Sequence, residues 1–141
     1  TLDAERTIGD VLLEPTRLYA DAIVRLQRRY RVKKVVSAMA HITGGGLTQN
    51  LERSLPDTVN AQIQRKALPT SAVFEWLQRH GRVDADEMAR VFNMGVGYVL
   101  VVRPSFADSI ADQLTRAGET VYRLGRITKG TGKVVVKGGG K

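Results

Sequence analysis

The stretch Ala40-His41-Ile42-Thr43-Gly44-Gly45-Gly46-Leu47-Thr48-Gln49-Asn50 decides how the rest of this 141-residue chain is read. Ahead of it, Val35-Val36 through Ile42 is a short, largely apolar run of the kind that forms a buried strand. Three consecutive glycines end the run, and Leu47 to Arg53 then takes up a helical pattern. Glycine is needed where backbone adopts positive φ or where another group must come close. A strand, a glycine turn and a helix start aim backbone N–H groups at one point, with the helix dipole behind them. Phosphate is the usual occupant of such a nest. A tight turn without a ligand uses the same residues. Three polar groups around the rim, His41, Thr43 and Asn50, favour the phosphate.

Composition sets the frame. A chain of this length forms one domain with room for a core, and 43% hydrophobic with 26% charged residues is ordinary for a globular protein. The absence of cysteine removes disulfides, a catalytic thiol and thiolate metal sites, and fits a reducing compartment. No apolar run approaches a membrane span, and the polar, acidic Thr1 to Asp10 is no signal peptide. The lack of an initiating Met is what a piece of a longer protein would show. A net charge of +8 raises nucleic acid as a partner. Its spread argues against one: residues 1–70 and residues 71–141 each carry 11 basic and 7 acidic side chains, so there is no basic arm. The densest cluster, Arg25, Arg28, Arg29, Arg31, Lys33 and Lys34, falls at an expected helix end, where cations suit the dipole.

Working outward, residues 1–10 read as a loose lead-in, residues 11–137 as the domain, and 138–141 as a disordered tail. Pro15 holds Glu14 extended, and Thr16 is placed to cap a helix from Arg17 to Tyr30 with Tyr19, Ile23, Leu26 and Tyr30 inward. Thr58 to Gln64 alternates and reads as a strand with one wet face near a sheet edge. A helix follows from Ser71 to Arg79, ended by His80-Gly81, and another is capped by Asp84 with Glu87 closing a capping box. Tyr98 to Val102 is apolar on both faces and reads as a central strand. Ser105 is placed to cap a helix carrying Phe106, Ile110 and Leu114. Two final strands, Thr120 to Ile127 and Lys133 to Lys137, meet through Lys129-Gly130-Thr131-Gly132. The expected class is α+β, a mixed β-sheet layered with α-helices.

Few residues can carry chemistry. His80 beside Gly81 suits a helix C-cap, whereas His41 at a strand end is placed to orient or protonate a phosphorylated group near neutral pH. Its alternative role is a structural hydrogen bond that holds the loop. No carboxylate pair has metal-site spacing, and no Lys-Ser or Lys-Thr follows the glycines as a P-loop would require. Asn93-Met94-Gly95-Val96-Gly97 forms a second glycine element before a strand, and Arg17 could clamp a phosphate or carboxylate with two donors. Either feature alone also fits a bulge or a surface ion pair.

Taken in order, Leu12 to Tyr19 with its Pro15-Thr16-Arg17, Ala40 to Leu47 with Asn50, Glu87-Met88 and Phe92 to Gly97 resemble the phosphoribosylformylglycinamidine cyclo-ligase family, the aminoimidazole ribonucleotide synthetases. The likeness runs from about Ile8 to the last strand and covers only that family's C-terminal domain. It implies a function in purine biosynthesis: ATP-dependent closure of the imidazole ring of formylglycinamidine ribonucleotide, giving aminoimidazole ribonucleotide, ADP and phosphate. It also implies ATP and Mg²⁺ held mainly by an N-terminal ATP domain, a cytoplasmic homodimer, and no membrane or nucleic-acid partner.

By this resemblance His41 is catalytic, near the reacting formyl group. Arg17, Thr43, Gly44, Gly45, Gly46, Asn50, Asn93, Gly95 and Gly97 bind substrate or phosphate, and none binds metal. Met94 departs from the pattern, standing where cysteine is common in the family. Related ATP-dependent enzymes of the selenophosphate synthetase or formylglycinamide ribonucleotide amidotransferase type share the domain, and a non-catalytic binding module on the same fold is a further alternative.

Overall fold

A computed structural model of the chain describes residues 5–138. In chain order the elements are α1 (Ile8–Leu12), α2 (Ala20–Arg29), β1 (Val36–His41), α3 (Gly46–Glu52), β2 (Val59–Gln64), α4 (Ala72–Gly81) and α5 (Ala85–Val91). They continue with β3 (Tyr98–Val102), α6 (Ala107–Arg116), β4 (Gly125–Lys129) and β5 (Val134–Lys137). The class is α+β, with two sheets rather than one. β1 pairs antiparallel with β3, while β2 lies between β4 (antiparallel) and β5 (parallel).

The period of two along β1 and β3 sorts their side chains onto two cores. Ala40 and Ile42, with Val99 opposite, join Leu47 and Leu51 of α3 and Ala61 and Ile63 of β2 in one buried cluster. Val36, Leu100 and Val102 face the other way, against Ala22 and Leu26 of α2 and Ile110 and Leu114 of α6. The two-stranded sheet is thus sandwiched between apolar layers. Leu26, Ile42, Leu51 and Met88 are almost wholly buried, and each such side chain stabilises by about 1.5–3 kcal/mol.

Several local expectations are corrected. The lead-in is partly helical: Thr7 caps α1 through Asp10 N–H (3.1 Å), and Asp10 returns a bond to Thr7 N–H (2.9 Å). α2 begins at Ala20, with no side-chain cap from Thr16, because Arg17 is drawn across to the end of α6. β2 is central in its sheet, not at an edge, and the strands around Gly130 do not pair with each other, because β2 lies between them. Asn60 of β2 holds that turn by accepting from Thr131 N–H and Lys133 N–H, both 2.8 Å. β3 has a single strand partner; its two apolar faces reflect the two cores. Asp84 caps α5 through Asp86 N–H (2.8 Å), but Glu87 turns to Arg90 (2.7 Å), so no capping box closes. A single 3₁₀ turn at Pro104–Phe106 displaces Ser105 from the cap of α6. α4 runs through Gly81 and ends on Arg82 at φ 51°, while His80 stacks on Trp76 and its Nδ1 lies 2.9 Å from the Trp76 carbonyl. Residues 1–4 of the expected lead-in and residues 139–141 of the expected tail lie outside the described residues.

Candidate functional site

The triple glycine is three different solutions to three local problems. Gly46 N–H donates to the Thr43 carbonyl (3.1 Å) across Gly44 and Gly45, and Gly45 sits at φ 95°, ψ −1°. This is a type II turn, whose third position needs positive φ. Gly46 (φ 63°) is needed for packing: a Cβ there would collide with the Ala89 carbonyl oxygen and stand 3.0 Å from that of Phe92. α3 and α5 therefore meet backbone to backbone. Gly44 is exposed, and a Cβ on it would meet nothing within 4 Å. Among the described residues, no acceptor stands at the N–H of Gly44 or Gly45.

Asn50 is 9% exposed, and its Nδ2 reaches the carbonyls of Gly46 (2.8 Å), Gly44 (3.1 Å) and Thr43 (3.4 Å). One amide thus fastens both sides of the turn from beneath. The second glycine element has a similar internal tie. Asn93 Oδ1 accepts from Gly95 N–H (3.0 Å) and the Asn93 carbonyl accepts from Val96 N–H (2.9 Å). Met94 (φ 50°) and Gly95 (φ 90°) between them are both left-handed, the geometry of a type I′ turn. Ile42 N–H donates to the Gly97 carbonyl (2.9 Å), and the contact of Gly46 with the end of α5 closes the other side. The two glycine turns are therefore neighbours at one end of the β1–β3 pair.

His41 projects from that end on the α2 side of the sheet and is solvent-exposed. Its ring lies 5.9 Å from that of Tyr98, its partner across the strands, at an interplanar angle of 26°. Tyr19, at the start of α2, meets the same imidazole edge-on, with centroids 5.9 Å apart at 68°. Tyr19 and Tyr98 also touch, at 5.6 Å. Neither tyrosine was singled out for function from the sequence, although each lies within two residues of a residue that was: Tyr19 after Arg17, Tyr98 after Gly97.

Of the predicted site residues, His41, Thr43 to Gly46, Asn50, Asn93, Gly95 and Gly97 are brought to this one end. The head group of Arg17 is engaged elsewhere. Its Nε donates to Glu119 Oε2 at 2.7 Å, and a second nitrogen bonds the Gly118 carbonyl. That pairing fixes the extended segment before α2 to the end of α6.

The site is an open rim. Two surface hollows, of about 470 and 260 Å³, lie elsewhere, along Glu75, Gln78, Arg79 and Arg82 and beside Tyr30, Lys33 and Phe106. Among the described residues, no three His, Asp or Glu side chains are grouped to hold a metal ion. The groups gathered at the rim are amides, hydroxyls, one imidazole and glycine backbone. That set does not fit Mg²⁺, which takes carboxylates and substrate phosphates. Among the same residues, no helix is long and apolar enough to cross a membrane.

The family model described as AIR synthase related protein, C-terminal domain, matches residues 1–137. Similar curated proteins include the phosphoribosylformylglycinamidine cyclo-ligase of Chromobacterium violaceum, 44% identical over 130 residues, which cover 92% of this chain and 36% of the relative. The protein of the same name from Neisseria meningitidis serogroup C is 43% identical over 135 residues (93% and 38%). That of Bacillus velezensis is 39% identical over 127 residues (90% and 36%). The chain spans little more than a third of the length of these relatives.

Proposed function

This chain belongs to the AIR synthase related protein family, through that family's C-terminal domain, and from that premise we propose that it is the substrate-groove domain of an ATP-dependent cyclo-ligase. The reaction is closure of the imidazole ring of formylglycinamidine ribonucleotide to aminoimidazole ribonucleotide, with release of ADP and phosphate, in cytoplasmic de novo purine synthesis. The observation that carries this reading is the meeting of the two glycine turns beside His41. Ile42 is bonded to Gly97, and the free N–H groups of Gly44 and Gly45 are offered on the rim.

Each residue then has a task. The turn N–H groups bind a phosphate of the substrate, and Asn50 keeps them in place from below. His41 lies where its imidazole can hold a proton or hydrogen-bond the formyl oxygen as the amidine-side nitrogen of the substrate attacks the formyl carbon. ATP supplies the phosphoryl group that makes this oxygen a leaving group, and the oxygen departs as phosphate. The donor set here does not suit Mg²⁺, so metal and most nucleotide contacts are assigned to an N-terminal ATP domain of the same protein, which is taken to be a homodimer.

The test is direct. The 141-residue chain alone is expected to show neither ATP hydrolysis nor ring closure, and the chain joined to its ATP domain is expected to show both. Ring closure by the isolated chain would overturn the division of labour.

A further inference from the structure

Three segments distant in sequence meet at one phenol. Tyr19 comes from the start of α2, His41 from the end of β1, and Gly97-Tyr98 from the start of β3. The rings of Tyr19, His41 and Tyr98 form a closed triangle, with all three centroid separations between 5.6 and 5.9 Å. Gly97 explains how it closes. A Cβ on Gly97 would overlap the Tyr19 hydroxyl oxygen and stand 3.0 Å from a ring carbon, so only glycine lets the phenol lie over the strand. Gly97 keeps an ordinary negative or extended φ, so close approach is its one requirement here. An exposed imidazole on a strand end would otherwise change rotamer on a picosecond-to-nanosecond timescale. Here one face lies against Tyr98, and Tyr19 blocks a second direction.

We propose that Tyr19 is the positioning residue of His41: seated on Gly97, it presses the imidazole against Tyr98 and fixes the direction in which its ring nitrogens point. The proposal rests on the reading that His41 acts in the reaction, and it gives Gly97 a role distinct from phosphate contact. The ring does the work and the hydroxyl does not, since among the described residues the phenol oxygen has no hydrogen-bond partner. Positioning of this kind commonly governs tenfold to hundredfold in rate, because displacing a reacting group by about 1 Å is enough to lose it.

Two measurements test it and fail separately. In NMR spectra of the 141-residue chain, the His41 ring protons should show ring-current shifts and cross-peaks to both tyrosines. Tyr19→Leu should move those shifts toward free-histidine values, and Gly97→Ala should do the same although residue 19 is unaltered. Unchanged His41 shifts in a folded Tyr19→Leu chain would overturn the proposal. In the enzyme joined to its ATP domain, Tyr19→Leu should lower kcat about tenfold or more with little change in KM, and Tyr19→Phe should restore most of that loss. In a His41→Gln background the Leu substitution should cost nothing further. A full additional loss there would show that Tyr19 acts independently of His41 and would overturn the proposal. If His41→Gln alone is fully active, the catalytic reading of His41 fails, and the NMR shifts alone decide whether Tyr19 holds the ring.

Discussion

Replacing Gly46 by alanine separates packing from ligand binding within the glycine turn. The new Cβ faces the Ala89 carbonyl oxygen well inside van der Waals contact and stands 3.0 Å from the Phe92 carbonyl oxygen. Both atoms belong to the backbone at the end of α5, so no side-chain rotation relieves the clash. Residue 46 must in addition hold φ 63°, which costs an L-residue about 1–2 kcal/mol. Overpacking against rigid neighbours adds about 1–3 kcal/mol. The sum, about 2–5 kcal/mol, corresponds in a domain of this size to a fall in Tm of roughly 7–17 °C. Gly44→Ala is the internal control: its Cβ meets nothing within 4 Å and its φ is not positive, so stability should stay within about 0.5 kcal/mol. Thermal and urea unfolding of the two variants beside the parent chain measure both effects. A Gly46→Ala chain as stable as the parent would refute the claim that α3 and α5 meet backbone to backbone.

Three further outcomes are expected. Asn50→Ala frees the Thr43, Gly44 and Gly46 carbonyls and should cost about 1–3 kcal/mol, with faster exchange of the Gly46 amide that bonds the Thr43 carbonyl; unchanged exchange there would release Asn50 from its role under the turn. His41→Gln in the enzyme with its ATP domain should lower kcat at least about tenfold with Tm almost unmoved, whereas normal kcat with a lowered Tm would make the histidine structural. The Asp10 carboxyl is held below the usual aspartate range by hydrogen bonds from the Thr7 hydroxyl and Thr7 N–H. A depressed folded-state pKa gives support that is present above the unfolded value and lost as pH falls through the folded one. α1 should therefore fray in acid, below the usual aspartate range, while the rest of the chain stays folded, and Asp10→Asn should remove that pH dependence in site-resolved exchange.

What the sequence disclosed and what it hid divide along physical lines. The motif around His41 revealed a strand, a glycine turn and a helix, because each is written in local spacing. The helical faces of α2 and α6 were equally open, since Leu26, Ile110 and Leu114 recur at helical intervals. The neighbours of β2 were not. Alternation along Val59 to Ile63 records a wet face and a dry one, but the count of flanking strands depends on chain more than sixty residues away. The three glycines look alike in sequence, although Gly44 is open, Gly45 turns and Gly46 packs, because the difference lies in what α5 brings alongside. Tyr19 fell into the inward face of its helix by spacing, yet it sits at the helix start, where it reaches the strand ends instead. Arg17 carried two readings from the outset, and Glu119, 102 residues further on, now occupies its guanidinium.

The clasp of β4 and β5 around β2 has a consequence for biosynthesis. Asn60 waits for Lys133, 73 residues later, before its side chain and the parallel edge of its strand are satisfied. At translation speeds of about 5–20 residues per second, that edge stays open for roughly 4–15 s after Asn60 is made. During this interval Val59, Ala61 and Ile63 form a short apolar strand with unpaired backbone, the kind of edge on which nascent chains associate. The vulnerable moment for this domain thus falls late in synthesis, and chaperone dependence should follow the time taken to deliver residues 134–137 rather than the stability of the finished fold.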